Sequence, residues 1–525
     1  MKFLDNIGLS AKDLDIEPTQ DEIYRMHSFT PQQGRYAKYA QELNHIVSEY
    51  EWVRRRLNIV VEYLIALGDE FQNYHGTTKR LIETPFSENQ RRALRSLYTD
   101  FSEIDFRSFQ TIDSKTHHDI VAAIRLGLYK MHKSGDIVDP AIMERAMHFG
   151  RTSDDVNANV FGTMLTDILR KYWLPAYIGL SDMFIEKAGE WHGVPEGYER
   201  PFTVVAGQTH EQYAVPTPLK KIASNIVSQM EEGLSPFLLE GSEGYEPFRF
   251  TGKMGGAIGN DSAMRAAYPG HDWRGFYRGL IEGFGLEYQE TSDQNISNMK
   301  ILRFLQYVTN SNNPLLKWAD DYSSYLSRGV LRKKVGKGSK GSSIMPQKIN
   351  PWRTEGAEFL LEMADAELGV YKVLARQRKQ GSLQRSLARR YIGVPFSNIV
   401  IAISRIGEDL RKTFPDYEGI EKELSEHPEI ASASVQTILR AGGVPDAYDR
   451  MVELTQGRKV TPEIIGGVID NMVSEREIGP EIGDSVKGVF AHENNVGDAL
   501  EIADRDIRSA RETNERLREV YRLDL

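Results

Sequence analysis

Apolar residues recur at helical spacing along several long segments of this chain, and this pattern constrains the fold more than any other feature. The first run predicts about six turns of helix and consists of Leu43, Ile46, Val47, Tyr50, Val53, Leu57, Val60, Val61 and Leu64. The same spacing recurs over residues 219–230, 296–308 and 359–373. Because helices of this length bury their apolar faces against one another, the sequence predicts an all-α fold with a long helical bundle.

Chain length and the breaks in the pattern predict about three domains. The chain has 525 residues, of which 40% are hydrophobic, so it can bury a substantial core. We expect an N-terminal helical domain over residues 1–150, a central long-helix bundle over 151–405 and a C-terminal helical domain over 406–525. From residue 495 the chain predicts a charged amphipathic helix for packing or oligomer stabilisation, with partner binding as the alternative. Its apolar face carries Leu500, Ala503, Ile507, Ala510 and Leu517.

Composition argues against several classes of protein. The chain has no Cys, which excludes disulfides and thiol catalysis and is compatible with a cytoplasmic location. Residues 1–10 do not resemble a signal peptide, and no apolar stretch of about 18 residues predicts a membrane span. The net charge of −10 argues against a general nucleic-acid binder. An acidic protein that binds anions must gather its cations locally.

Residues 341–351, with the sequence GSSIMPQKINP, gather hydroxyl, ammonium and carboxamide groups in one short segment. Residues 333–340 before it are rich in Gly, Lys and Ser, which predicts a mobile cationic lid over an anionic substrate. A serine can act as a base only where positive charge or amide donors stabilise its alkoxide, and Lys348 could supply that charge. Lys348 and Asn350 together suit a carboxylate, or the aci-carboxylate that forms when the adjacent carbon loses a proton. The alternative is an ordinary solvated Gly/Ser loop.

Two polar clusters near the start of the chain suit a phosphate. Arg35 and Tyr36 follow a glycine ahead of a long helix, and they offer a charge-assisted donor and a hydroxyl. His117 and His118 precede Asp119, which can fix the orientation of an imidazole. This cluster could also suggest a metal, but no further His or Cys lies at ligand spacing, which disfavours zinc.

Three further segments carry capping, acid or glycine-rich chemistry. Thr152 and Ser153 precede two aspartates, a pattern typical of a helix N-cap. His210 is a candidate general acid because the pKa of imidazole lies closest to neutrality. The glycine-rich residues 252–260 lack the Lys-Ser/Thr pair of a P-loop, so we expect them to serve tight backbone packing.

In combination these segments resemble the fumarase/aspartase superfamily, from residue 30 to about residue 403. The string YPGHDW at 268–273 is similar to the adenylosuccinate branch of that superfamily. The resemblance implies a three-domain all-α fold, a homotetramer with the long bundle at its core, and active sites shared by three subunits. It also implies that the substrate is a small nucleotide. Fumarate would be eliminated from adenylosuccinate to give AMP, and from SAICAR to give AICAR, with no metal or organic cofactor.

The resemblance assigns a role to each site residue. It implies that Ser342 is the base, that His210 is the acid, that Lys348 stabilises the intermediate and that Glu355 is the carboxylate partner of the histidine. The substrate-binding residues that it implies are Arg35, Tyr36, His117, His118, Asp119, Thr152, Ser153, Gln294, Ser343, Asn350, Ser386 and Arg390.

Two departures from the family pattern leave alternatives open. Glu211 stands where the family has a glycine after the histidine, which could crowd the site or alter the turn. Gly381 stands where relatives have a substrate-binding arginine, and either Arg378 or Arg385 could substitute for it. Spacing alone does not decide between Ser342 and its neighbour as the base. The alternatives in function are another fumarate-releasing lyase, such as one acting on argininosuccinate, and a non-catalytic structural member.

Overall fold

The computed structural model describes residues 19–135, 137–241, 244–336, 344–345, 347–376, 380–382, 384–457 and 461–523. Residues 1–10, Ser342, Ser343, Arg378 and residues 337–340 of the predicted lid lie outside these ranges. Within them helices dominate and strands occur as short pairs, so the prediction of an all-α fold is confirmed. None of the described helices is long and apolar enough to cross a membrane.

In the first part of the chain, several helices pack around α3 (Glu49–Glu70), which has 22 residues. The apolar positions that the sequence pattern identified, from Val53 to Leu64, are buried along one face of this helix. The helices of this part are α1 (Gln20–Met26), α2 (Ala37–Val47), α3 (Glu49–Glu70), α4 (Glu88–Thr99), α5 (Glu103–Thr116), α6 (Asp119–Lys133) and α7 (Pro140–Ala146).

The single helix predicted across residues 43–64 is wrong at one point, because the chain breaks at Ser48. This residue ends α2 and starts α3 with an extended backbone, and its side chain accepts the N–H of Glu51. A serine in this position satisfies one of the donors left open at the start of α3. Apolar periodicity passes through such a break without a change of phase, so the pattern alone did not reveal it.

The centre of the molecule is a bundle in which five helices pack together, namely α9 (Leu174–Glu190), α10 (Leu219–Leu234), α13 (Met299–Arg328), α14 (Trp352–Val370) and α16 (Gly393–Leu410). The apolar repeats of residues 219–230, 296–308 and 359–373 fall largely within α10, α13 and α14. The helices of this region are α8 (Ser153–Asp167), α9 (Leu174–Glu190), α10 (Leu219–Leu234), α11 (Ser262–Ala267), α12 (Trp273–Gly283), α13 (Met299–Arg328), α14 (Trp352–Val370), α15 (Gln384–Arg390) and α16 (Gly393–Leu410).

A π-helical segment, Ile168–Trp173, joins α8 to α9 into one long rod. Pro175 is the second residue of α9, just beyond this segment. Proline lacks an N–H and its ring crowds the carbonyl of the preceding turn, so the wider π turn accommodates it without ending the rod. The start of α8 is thereby held by the same rigid element that enters the bundle.

The C-terminal part has a core of its own and then returns to the bundle. Residues including Val435, Leu439, Met451, Ile465 and Ile469 form that core. The predicted terminal helix is confirmed as a packing helix on α10, with Ala503, Ile507, Ala510 and Leu517 buried. The domain boundaries near residues 150 and 405 stay predictions. The helices are α17 (Tyr417–Glu426), α18 (Ser432–Ala441), α19 (Ala447–Thr455), α20 (Pro462–Ser474), α21 (Pro480–Gly488) and α22 (Ala499–Tyr521).

Short strand pairs brace the loops between the helices. One of them corrects the predicted lid, because Lys333 belongs to a strand and its ammonium lies 2.7 Å from the buried carboxylate of Asp409. The pairs are β1 (Val204–Thr209) with β2 (Gln212–Pro218), β3 (Leu238–Gly241) with β4 (Gly244–Pro247), β5 (Thr251–Gly252) with β6 (Glu287–Tyr288), and β7 (Leu331–Lys333) with β8 (Thr413–Pro415). The β5–β6 pair is parallel and the others are antiparallel.

Candidate active site

A cleft of about 610 Å³ lies where α3, the α5–α6 junction, the start of α8 and α15 come together. These segments are far apart in the sequence, yet each contributes polar side chains to the same cleft. The predicted substrate-binding residues that line it are His117, His118, Asp119, Ser153, Gln294, Ser386 and Arg390. The structure therefore brings together more than half of the binding residues that were predicted from separate motifs.

The two histidines mark a sharp junction between helices. His117 ends α5 in the left-handed region with φ 49°, and His118 is the N-cap of α6. The Nδ1 atom of His118 lies 3.5 Å from the backbone nitrogen of Val121 and 3.8 Å from the carboxylate of Asp119, and these two contacts leave Nε2 facing the cleft. That nitrogen lies 3.4 Å from the hydroxyl of Ser153, across the cleft. The backbone of α6 and the neighbouring aspartate therefore both lie beside Nδ1 of this imidazole, and orientation by Asp119 stays a prediction.

Asp119 organises two arginines. Its carboxylate accepts from the Nη2 atoms of Arg56 at 2.6 Å and of Arg390 at 3.1 Å. Burial raises the pKa of Asp119, but the two guanidinium charges outweigh burial and hold this pKa below its usual value. Arg390 also donates from Nη1 to the hydroxyl of Ser386 at 2.5 Å. Asp119 and Ser386 thus hold Arg390 at the edge of the cleft.

The start of α8 presents Ser153 to the cleft and turns Thr152 away from its lining. The carboxylate of Asp155 accepts the backbone N–H of Thr152 at 2.9 Å, which fixes this helix start. Asp154 also lines the cleft, and its carboxylate accepts from Arg389 at 2.6 Å and from Asn295 at 2.7 Å. The N-cap pattern seen in the sequence therefore positions one serine and one buried carboxylate beside the cleft.

The glycine-rich residues 252–260 serve packing against α8. The backbone N–H groups of Gly255 and Gly256 each donate to the carboxylate of Asp155 at 3.0 Å. Lys253 is fully buried, and its ammonium lies 3.0 Å from the same carboxylate. It also donates to the main-chain carbonyl of Gln294 at 2.8 Å. This interaction ties the start of α8 to the segment that carries the predicted glutamine.

Gln294 fills the space where a side chain at position 381 would lie. Its backbone N–H donates to the carbonyl of Gln380 at 3.2 Å. A Cβ atom added to Gly381 would lie only 2.2 Å from the Oε1 atom of Gln294. Glycine at position 381 is therefore what permits the present orientation of the glutamine side chain beside the cleft.

We expect Gly381→Ala to weaken substrate binding more than it weakens the fold. The new methyl group would displace the flexible end of Gln294, which costs little stability but removes its contact with the ligand. Loss of one uncharged hydrogen bond raises KM by about two- to tenfold. Steady-state kinetics and thermal unfolding of the variant would check this. Gly369→Ala is the control, because nothing lies within 4 Å of the methyl position there. An unchanged KM would contradict a role for this contact.

The remaining described candidates do not line the cleft of the same chain. Arg35 and Tyr36 line a separate pocket of about 490 Å³, where the guanidinium of Arg405 lies 5.4 Å from the centre of the Tyr36 ring. Lys348 is exposed and Asn350 is half-buried ahead of α14, and Glu355 is exposed in its first turn. Arg35, Lys348 and the proposed proton donor His210 therefore lie on other surfaces of the subunit.

His210 and Glu211 form the two-residue turn between β1 and β2. Thr209 pairs with Gln212, and both turn residues have positive φ values of 54° and 59°. A turn of this kind requires the left-handed region at both positions, for which glycine is well suited. The glycine of the family pattern would therefore suit position 211 of this turn. Glu211 occupies this turn with its side chain exposed.

We expect Glu211→Gly to raise the free energy of unfolding. Relief of the left-handed strain is partly offset by the greater freedom of glycine in the unfolded chain, which leaves a gain of about 0.5–1 kcal/mol. Chemical denaturation would measure it. Glu211→Ala removes the same carboxylate but keeps the strain, so a gain of equal size in that variant would argue against this explanation.

Several residues of the cleft were missed in the sequence. Arg56 is 1% exposed and contacts both Asp119 and Asn157. A signal was present, because Arg56 lies three residues after Val53 on the apolar face of α3, where a charged side chain is out of place. Asp154 and Arg389 carried no such signal, since acids and bases are common at helix ends. Among the described residues, no group of three or more His, Cys, Asp or Glu side chains could hold a metal ion.

Comparisons with known proteins identify the family of this chain. Residues 34–363 match the profile of the family described as "Lyase", and residues 377–486 match "Adenylosuccinate lyase C-terminal". The adenylosuccinate lyase of Dictyostelium discoideum is 28% identical over 88% of this chain and 96% of its own length. The enzyme of that name from Escherichia coli K12 is 26% identical over 87% of this chain and 94% of its own length.

A solved structure shows the same fold. The fumarate lyase of Mesorhizobium sp. BNC1 superposes with a TM-score of 0.64 and 12% identity, over 89% of this chain and 97% of that one. The fold and the matched profiles agree with the resemblance that the motifs carried. The chain belongs to the lyase family of the fumarase/aspartase superfamily.

Proposed function

We propose that this protein is an adenylosuccinate lyase. It eliminates fumarate from adenylosuccinate to give AMP, and from SAICAR to give AICAR, in purine nucleotide biosynthesis. The observation that carries this proposal is the cleft, in which His118, Ser153 and Arg390 from three separate segments meet beside further arginines. Such a concentration of cations suits a substrate that carries both a phosphate and two carboxylates. The curated relatives of that name match over most of the chain.

The proposed mechanism is a two-step elimination. Ser342 removes the proton from the carbon next to a carboxylate, and Lys348 and Asn350 stabilise the resulting aci-carboxylate. The carbon–nitrogen bond then breaks, and His210 gives a proton to the departing nitrogen. Glu355 orients the histidine through its other ring nitrogen. No metal or organic cofactor takes part in these steps.

We further infer a homotetramer with shared active sites. The exposed apolar side chains Trp352, Phe359, Met363 and Val370 recur along one face of α14, and Val370 is 70% exposed. An apolar face on a long central helix supports burial against other subunits. Association would also allow a second subunit to bring His210 or Lys348 to the cleft of the first. A cytoplasmic location stays a prediction.

An assay with purified protein separates the candidate substrates. We expect adenylosuccinate to be cleaved, with loss of its absorbance, and argininosuccinate to be left intact. Cleavage of argininosuccinate alone would favour the alternative that the protein is a lyase acting on argininosuccinate. The departures from the family pattern at Glu211 and Gly381 leave this alternative open. Turnover of neither substrate by a correctly assembled oligomer would favour a structural role. His210→Ala should abolish most of the activity, and His45→Ala, at an exposed position on α2, is the matched control.

A further inference from the structure

Two neighbouring arginines on α15 have no role in the mechanism above. Arg385 and Arg389 lie one helical turn apart and line the cleft, and they are only 2% and 3% exposed. Arg385 donates from Nε to the carbonyl of Leu374 at 3.0 Å and from Nη1 to the side-chain oxygen of Asn295. Arg389 donates from Nη1 to Asp154 at 2.6 Å.

Both guanidinium groups keep donors that have no partner. The Nη2 atom of Arg385 and the Nε and Nη2 atoms of Arg389 are buried and make no hydrogen bond within the part of the chain that the structure describes. The hydroxyl of Ser382, which also lines the cleft, is likewise buried and makes no hydrogen bond within the described residues. Buried donors of this kind are costly unless a ligand or water accepts from them.

The charges of this group are also unbalanced. Asp154 forms a hydrogen-bonded ion pair with Arg389, whereas Arg385 donates to two neutral oxygens, those of Leu374 and Asn295. Burial and then the neighbouring charge of Arg389 lower the pKa of Arg385. An anion between the two guanidinium groups would supply acceptors for the open donors and would balance the second charge.

We propose that Arg385 and Arg389 bind an oxyanion of the substrate at this end of the cleft, and so help to determine which substrates are accepted. This inference rests on the proposed function for the identity of the substrate. Adenylosuccinate offers two sources of that oxyanion, its phosphate and its succinyl carboxylates. The products separate them, because AMP carries only the phosphate and fumarate carries only carboxylates.

Arg385→Gln is the informative variant. Because the partners of Arg385 are neutral, this change leaves no carboxylate unpaired. Binding of AMP, fumarate and inorganic phosphate to the oligomeric protein is measured by calorimetry. We expect the Kd of the anion that occupies the site to rise by about tenfold or more, and that of the other product to change by less than about twofold. Arg385→Lys should restore part of the loss.

Arg55→Gln is the matched control for Arg385→Gln. Arg55→Gln removes a guanidinium of α3 that pairs with Asp167 and does not line the cleft, so all affinities should stay as in the unchanged protein. The proposal is overturned if Arg385→Gln binds all three anions as tightly as the unchanged protein does. It is also overturned if neither protein binds any of them. Turnover of adenylosuccinate by the unchanged protein tests the proposed function separately. If the unchanged protein does not turn over adenylosuccinate but Arg385→Gln still weakens phosphate binding, only the proposed function is contradicted.

Discussion

Ser342→Ala is expected to lower kcat for adenylosuccinate by about 100- to 10,000-fold, because it removes the general base of the proposed elimination. Substrate affinity should change little, since the arginines and Ser153 of the cleft remain. Single-turnover kinetics with saturating substrate would measure the chemical step directly. The expected pattern is therefore a large loss of kcat with a nearly unchanged dissociation constant for AMP.

Ser343→Ala is the matched control for this experiment. It removes a hydroxyl that is proposed to bind substrate, so its effect should fall mainly on KM. If Ser343→Ala abolishes turnover while Ser342→Ala leaves it intact, the base is the second serine. If both variants retain full activity, neither hydroxyl removes the proton and the proposed mechanism fails.

Lys253→Met is expected to lower the free energy of unfolding by about 3–5 kcal/mol, because it breaks an ion pair with no solvent exposure. The ammonium of Lys253 lies 3.0 Å from Asp155, and both side chains are 0% exposed. Methionine has a similar length but removes the nearer cation from the carboxylate, which then keeps only the guanidinium of Arg151 at 4.0 Å. Chemical denaturation, followed by far-ultraviolet circular dichroism, would measure the loss.

An exposed pair provides the comparison. Lys317 contacts Asp321 one turn along α13, and the lysine side chain is 50% exposed. Lys317→Met should therefore cost about 0.5 kcal/mol or less. Equal losses in the two variants would show that burial of the Lys253–Asp155 pair adds nothing to its contribution. A loss of activity in Lys253→Met without a loss of stability would instead indicate that the lysine mainly positions Gln294.

The sequence was most informative where a pattern repeats over many turns. The apolar repeats that lie in α10, α13 and α14 predicted the bundle, because burial of one helix face requires that spacing whatever the partner. The break at Ser48 was not visible, since a single cap changes hydrogen bonding without changing the apolar phase. The start of a helix at that point depends on one side chain, whereas the bundle depends on many buried apolar side chains.

The site was predictable as a set of side chains but not as an arrangement. His118, Ser153 and Arg390 were found because each stands in a recognisable local motif. Their meeting in one cleft depends on packing between α6, α8 and α15, which no local pattern encodes. Arg389 and Asp154 form their ion pair only in the folded chain, so neither stood out alone.

The consecutive residues Arg389 and Arg390 bind aspartates on two different helices, α8 and α6. One inserted residue between them would rotate the second side chain by about 100° around the axis of α15 and remove it from its partner. A deletion would do the same in the opposite direction. This short helix can therefore diverge during evolution by exchange of residues, while its length is held constant by the two attachments.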